Sequence, residues 1–161
     1  MIQLVPSASR YHFQNDWLST YWHFSFDHYR DPDNVSFGPL RVFNDDTVRP
    51  ASGFDAHAHW EMEILTVVLD GELEHRDDAG HHGVLRGRAG GAFDVQRMSA
   101  GTGIRHAERN PSPDRPVHFL QVGSSPRSAA WPPPGSRRAL RPPPAAGLSR
   151  RSSPRDPATA P

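Results

Sequence analysis

Residues 57–76 read HAHWEMEILTVVLDGELEHR, and this stretch is the most informative for the fold. Two histidines at positions i and i+2 are followed by an apolar, β-branched run over residues 63–69, which is typical of a buried strand. Asp70-Gly71 is a strong turn signal, and the alternating residues 72–76 after it predict a second strand. The stretch therefore predicts antiparallel β structure.

The same character extends in both directions from this stretch. Residues 37–43 (FGPLRVF) and 117–122 (VHFLQV) predict further strands, and residues 77–80 (DDAG) predict a turn. Residues 87–93 (GRAGGAF) predict a glycine-rich loop. Residues 16–26 are rich in Trp, Tyr, His and Phe, which are poor helix formers, so we expect a turn or irregular segment there. Turn signals about every 8–12 residues predict an all-β sandwich or barrel over residues 1–123.

Residues 124–161 have a different composition. Pro, Arg, Ser and Ala make up 31 of these 38 residues, and Trp131, Leu140 and Leu148 are the only large apolar side chains. Such a segment cannot bury enough apolar surface to offset its ordering entropy, so it is predicted to be disordered with local polyproline II. Two alternatives stay open: a proline-motif ligand or anionic-surface tether, and a frameshift-derived stretch, since a GC-rich frame read out of register has this composition.

Charge and composition exclude several classes of protein. The formal net charge is zero, which argues against a dedicated nucleic-acid binder, although residues 1–123 carry −6 and residues 124–161 carry +6. Cysteine is absent, which excludes disulfides, Cys-ligated zinc and a Cys nucleophile. No apolar run approaches the roughly 18 residues of a membrane span, and the first residues do not resemble a signal peptide. These features predict a cytoplasmic protein with no membrane or direct nucleic-acid partner.

Two pairs of side chains have the spacing of metal ligands. His57 and His59 point to the same face if they lie on a strand, and His106 and Glu108 repeat the same i, i+2 arrangement. If the two strands face each other inside a barrel, the four side chains converge. Three neutral imidazoles and one carboxylate suit Fe(II), Mn(II), Ni(II), Cu(II) or Zn(II) rather than calcium or magnesium. An octahedral metal would keep two open positions, as catalytic sites do.

Each pair alone has an ordinary explanation, because H-x-H and H-x-E also occur by chance. The two together, with a glycine-rich turn at residues 99–103 before the second pair, favour a metal site. Glu61 and Glu63 would share strand parity with His59, so either competes with Glu108 as the carboxylate ligand or orients an imidazole. The other histidines are predicted to be solvated or partly buried without a functional role: His12, His23, His28, His75, His81, His82 and His118.

Residues 57–77 and 95–108 (VQRMSAGTGIRHAE), together with residues 22–26 and 37–42, resemble the conserved blocks of the pirin family in the cupin superfamily. The resemblance covers about residues 7–122. It implies a cupin-type β-barrel, a double-stranded β-helix or jelly roll, over residues 1–123. It also implies one metal, typically iron, on His57, His59, His106 and Glu108, which favours Glu108 over Glu63.

The resemblance also implies a function. Several bacterial members are described as quercetin 2,3-dioxygenases, and eukaryotic members as nuclear cofactors of transcription. The implied reaction adds O₂ to a flavonol such as quercetin and opens the ring with loss of carbon monoxide, and Glu108 would take the proton of the enol. The alternatives are a non-catalytic metal-binding regulatory or binding module, and a truncated inactive product.

Three features depart from the family pattern. Ala58 stands where the family usually has Pro, and the loop at residues 87–93 is about five residues longer than usual, a change that surface turns tolerate. Third, pirins contain two barrels, and this resemblance ends after Val122. We therefore expect an exposed apolar interdomain face on residues 1–123 and self-association through it.

Overall fold

The computed structural model describes residues 4–88 and 91–126 and the backbone of residues 138–140. These residues form ten β-strands and one 3₁₀ turn at Ser7–Ser9, with no α-helix among them. In this part of the chain no helix is long and apolar enough to cross a membrane. The strands are β1 Tyr11–Gln14, β2 Leu18–Trp22, β3 Leu40–Val48, β4 Gly53–His59, β5 Glu63–Asp77, β6 His82–Gly87, β7 Val95–Ser99, β8 Ile104–Arg109, β9 Val117–Ser124 and β10 Arg138–Leu140.

The strands form two antiparallel layers that share β5. The first sheet has the order β1-β2-β3-β9-β5-β7-β10, and it uses the amino-terminal half of β5. The second sheet contains β4, β8 and β6, and it uses the carboxyl-terminal half of β5, which pairs with both β6 and β8. This curled, all-β arrangement confirms the predicted cupin-type fold.

The predicted hairpin turn at Asp70-Gly71 is wrong. The chain runs through this point as one 15-residue strand, and the register with β9 shifts between Val68 and Asp70. Gly71 has a φ of +84°, and a Cβ atom there would lie 2.6 Å from the carbonyl oxygen of Pro116. Glycine is required because the backbone is left-handed and closely approached, and the bulge redirects the strand from one sheet to the other.

Two other strands differ from their predicted positions. Leu18–Trp22, inside the segment expected to be irregular, is strand β2 with alternating burial, whereas residues 23–25 are irregular as predicted. Strand β3 begins at Leu40 and continues to Val48, past the apolar run. It was predicted too short because Asn44 and Asp46 are polar, yet both are buried. The turn predicted at residues 77–80 connects β5 to β6 and is confirmed.

Most of the predicted tail lies outside the described residues. Ser124 ends β9, and the backbone of Arg138–Leu140 pairs with Val95, Gln96 and Arg97 of β7. Residues 127–137 and 141–161 are not described, so their disorder stays a prediction. The glycine-rich loop is described except for residues 89 and 90, and it connects β6 to β7 as predicted.

Candidate metal centre

A cavity of about 630 Å³ lies between the two sheets. The first sheet and the turns beside it contribute mostly apolar and aromatic walls, with five polar side chains, Asn15, Asp27, Asn44, Asp46 and Gln121. The second sheet contributes Phe54, His57, His59 and Glu108. The apolar lining of the first-sheet side consists of Phe13, Trp17, Leu18, Trp22, Phe26, Val42, Met62 and Ile64. An apolar cavity with a few convergent polar groups is the usual form of a small-molecule site.

Three of the predicted ligands meet at one side of this cavity. The antiparallel register of β4 and β8 places His57 directly opposite His106. One ring nitrogen from each of His57, His59 and His106 lies within 4.8 Å of the others. The Nε2 atoms of His59 and His106 are 2.9 Å apart. The structure therefore brings both strands' imidazoles to a common point.

Glu108 lies beside this group but belongs to a second one. Its carboxylate is buried and lines the same cavity, and its Oε2 accepts a hydrogen bond of 2.7 Å from the Nε2 amide of Gln121. A carboxylate oxygen of Glu108 lies within 4.8 Å of nitrogens of His75 and His106, but Glu108 is not in the group formed with His57 and His59. The predicted four-ligand set is thus gathered as three imidazoles with an adjacent carboxylate.

Two of the imidazoles, those of His59 and His106, are held in the neutral form that metals bind. Burial lowers the pKa of His59 to about 4, with a further contribution from His57. Burial lowers the pKa of His106 to about 2, and the neighbouring His57, His59 and His75 act in the same direction. His57 Nδ1 lies 2.8 Å from the carbonyl oxygen of Asp55, so this nitrogen donates and leaves Nε2 as a ligand atom. This donor set fits a first-row transition metal.

Glu61 and Glu63 do not compete for this position. Glu61 has a φ of +47°, which breaks the strand between β4 and β5 and with it the parity expected from His59. Glu63 lies on β5 next to inward-facing Ile64, so its side chain takes the opposite face. There its Oε2 accepts a hydrogen bond of 2.9 Å from Ser99 Oγ. Neither carboxylate belongs to a ligand group among the described residues.

The prediction for His75 is wrong. It was expected at the surface or partly buried, but it is fully buried and forms the second ligand group with His106 and Glu108. The sequence did contain one indication of this burial: His75 lies two residues after Leu73 on the same strand, so both side chains point to the same face, and Leu73 is also fully buried. The six histidines that belong to neither ligand group are exposed or half-buried, as expected: His12, His23, His28, His81, His82 and His118.

Asp46 is a further cavity residue that the sequence did not indicate. It is buried on β3, directly opposite Thr20 of β2. Burial raises the pKa of Asp46 to about 7, and the nearby carboxylates of Glu108 and Asp45 raise it further. A buried carboxyl group that titrates near neutrality in a cavity is a mark of functional sites.

Comparison with known proteins gives a consistent result. Residues 5–123 match the family described as Pirin. A quercetin 2,3-dioxygenase of Escherichia coli K12 is 43% identical over 122 residues, which are 76% of this chain and 51% of that protein. A pirin-like protein of Caulobacter vibrioides is 48% identical over 112 residues, 70% of this chain and 46% of that protein.

A solved structure agrees with these relatives. A bacterial pirin from Escherichia coli in complex with nickel(II) superposes with a TM-score of 0.75 at 40% identity. The match covers 84% of this chain and 56% of that chain. The chain thus spans about half the length of the curated relatives that it matches.

Proposed function

The chain belongs to the pirin family, and from this premise we propose that it is a metal-dependent dioxygenase that cleaves a flavonol such as quercetin with O₂. The observation that carries the proposal is the convergence of three imidazoles on an apolar cavity that also contains a buried carboxylate. The similarity to a named quercetin 2,3-dioxygenase supports the choice of substrate class.

In this proposal His57, His59, His106 and Glu108 hold the metal, which is Fe(II), with Mn, Ni, Cu and Zn as the alternatives. The related pirin solved with nickel(II) supports a transition metal in this family. When bound, such an ion supplies a Lewis-acidic centre with open coordination positions.

The chain's own residues would bind and deprotonate the substrate. The aromatic and aliphatic first-sheet walls pack against the flat rings and exclude water. The Glu108 carboxylate takes the proton of the enol hydroxyl, and the Gln121 amide orients that carboxylate through Oε2. The role of Glu108 thus depends on Gln121 of β9, on the opposite sheet.

The test is an aerobic assay of the iron-loaded full chain with quercetin. Loss of the flavonol absorbance together with release of carbon monoxide is expected. A chain with stoichiometric iron and no turnover would contradict the enzyme and would favour a non-catalytic metal-binding module instead.

A further inference from the structure

His75 lies directly behind the metal site and has no role in the reaction proposed above. The register of β5 and β8 places His75 opposite Glu108 and Asp77 opposite His106. The side chains of His75 and Asp77 are completely buried. A buried histidine next to a buried carboxylate needs a structural or functional reason, because both groups lose their hydration.

The contacts of His75 form a continuous chain to His106. Its Nε2 is 3.2 Å from Oδ2 of Asp77, and its Nδ1 is 3.0 Å from the side-chain Nε2 of Gln96. The same Nδ1 lies 3.5 Å from Nδ1 of His106. The Asp77 carboxylate is in turn held by the backbone N–H of His81 at 2.8 Å.

The charge on Asp77 decides where the protons lie. Its Oδ1 accepts the backbone N–H of His81 at 2.8 Å, and its Oδ2 lies 3.2 Å from Nε2 of His75, so donors face both carboxylate oxygens and favour the ionised form. An ionised carboxylate only accepts, so His75 carries its proton on Nε2 and leaves a lone pair on Nδ1. Two donors share that lone pair: the Gln96 amide at 3.0 Å and, more weakly at 3.5 Å, the Nδ1–H of His106.

The result is a defined tautomer of His106. With its proton on Nδ1, His106 has its lone pair on Nε2, the atom 2.9 Å from Nε2 of His59. We propose that His75 is a positioning residue. Its hydrogen bond to Asp77 sets its own tautomer, and its contact with His106 then fixes the tautomer and orientation that His106 needs as a ligand. The inference rests on the proposed metal centre.

His75 could also be a ligand itself, because it forms a group with His106 and Glu108. The hydrogen bonds argue against this role. Its Nε2 faces Asp77, and its Nδ1 faces the amide of Gln96, so both ring nitrogens already have partners. A histidine that acts behind a ligand typically changes metal affinity by about 10–100-fold when it is replaced.

Zinc affinity of the full chain, measured by competition with a chromophoric chelator, tests the proposal. His75→Leu is expected to weaken zinc binding about 10–100-fold. His75→Asn places an oxygen near the position of Nδ1 and should recover most of that loss. In Asp77→Asn the new amide can donate a hydrogen bond to Nε2 of His75. This reverses the direction of the hydrogen bonds through His75 to His106, so zinc binding should weaken as well. His82→Leu removes an exposed histidine hydrogen-bonded to Glu74 and is the control.

A second readout reports the tautomer directly. Histidine ¹⁵N chemical shifts of the metal-free chain should show the His106 proton on Nδ1 in the wild type and on Nε2 in Asp77→Asn. A merely structural role for Asp77 would leave this tautomer unchanged. This measurement decides the question even if His75→Leu does not fold.

The two proposals fail in different ways. If the wild type binds no stoichiometric zinc, the metal centre is wrong, and the hydrogen-bond chain is judged on the His106 tautomer alone. If His106 carries its proton on Nε2 in the wild type, the positioning role is overturned. It is also overturned if His75→Asn binds as weakly as His75→Leu while zinc shifts a ring nitrogen of His75, since His75 is then a ligand.

Discussion

The two sheets contribute unlike walls to the same cavity. The second sheet supplies His57, His59 and Glu108, while the first supplies apolar side chains such as Trp22 and Ile64. Strand β5 connects the two walls, because one half of it pairs in each sheet. In the proposed function this difference becomes a division of roles: the second sheet supplies the metal ligands, and the first sheet determines which ligand shapes fit and excludes water from the site.

The largest expected effect comes from the second-sheet wall. Replacing both His57 and His59 with Ala removes two of the three imidazoles in the ligand group, so stoichiometric metal should be lost completely by elemental analysis. The matched control is the double replacement of His12 and His82, which are both exposed and outside the group. Retained stoichiometric metal in the first variant would place the metal elsewhere and remove the distinction between the walls.

The carboxylate on the same wall gives the next largest effect. Glu108→Gln keeps the shape of the side chain but removes the base, so turnover of quercetin by the iron-loaded chain should fall at least about 100-fold. Glu63→Gln is the control, since Glu63 lies on the outer face with Ser99 and should leave turnover unchanged. Equal losses in the two variants would contradict the assignment of the base to Glu108.

The spacing of residues in the sequence predicted the second-sheet wall better than it predicted the backbone bends that join its strands to the rest of the fold. The i, i+2 pairs that begin at His57 and His106 were correctly predicted to lie on strands, and the structure brings three of the four side chains together, because strand parity is a local property. Glu61 was misjudged because its positive φ ends that parity, and backbone bends of non-glycine residues have no clear sequence signal. The Asp70-Gly71 bulge was misjudged because a turn and a bulge use the same glycine.

The first-sheet wall was predicted less completely. The polar residues Asn44 and Asp46 hid the continuation of β3, since a buried polar group facing a cavity looks like surface in a hydrophobic pattern. His75, in the second-sheet half of β5, was missed for a different reason: its partner His106 is 31 residues away, and their contact depends on the β5–β8 pairing. Self-association through an exposed apolar face of residues 1–123 stays a prediction.

Asp46 gives a pH-dependent effect from the first-sheet wall. Its pKa is raised from 3.8 to about 7 on folding, mainly by burial, so the folded chain binds more protons than the unfolded chain between these values. Stability is therefore lost as the pH rises through this window. Asp46→Asn cannot ionise, and should stabilise the metal-free chain by on the order of 4 kcal/mol at pH 8 but hardly at pH 4.

Urea unfolding of the metal-free wild type and variant at both pH values measures this difference. Asp16→Asn is the control: Asp16 is an exposed carboxylate that does not contribute to the Asp46 pKa shift, and its replacement should not stabilise the chain at either pH. A gain from Asp46→Asn that is the same at both pH values would show that ionisation is not its cause.

The smallest expected effect compares two isoleucines in one core cluster. Ile64 and Ile104 are both buried and belong to the same group, but only Ile64 lines the cavity. Replacing either with Val removes one methylene, so each variant should lose about 0.5–1.5 kcal/mol of unfolding free energy.

Ligand binding should separate these two variants. Ile64→Val removes about 0.8 kcal/mol of apolar contact with a bound ring, so quercetin affinity measured by fluorescence titration should fall about fourfold. Ile104→Val should leave that affinity unchanged, although it is equally destabilised, because its side chain faces the core beside the cavity. Since stability loss is matched in the pair, the difference in affinity isolates the contribution of the first-sheet wall. Equal affinities would mean that this wall is core packing and that ligand shape is determined elsewhere.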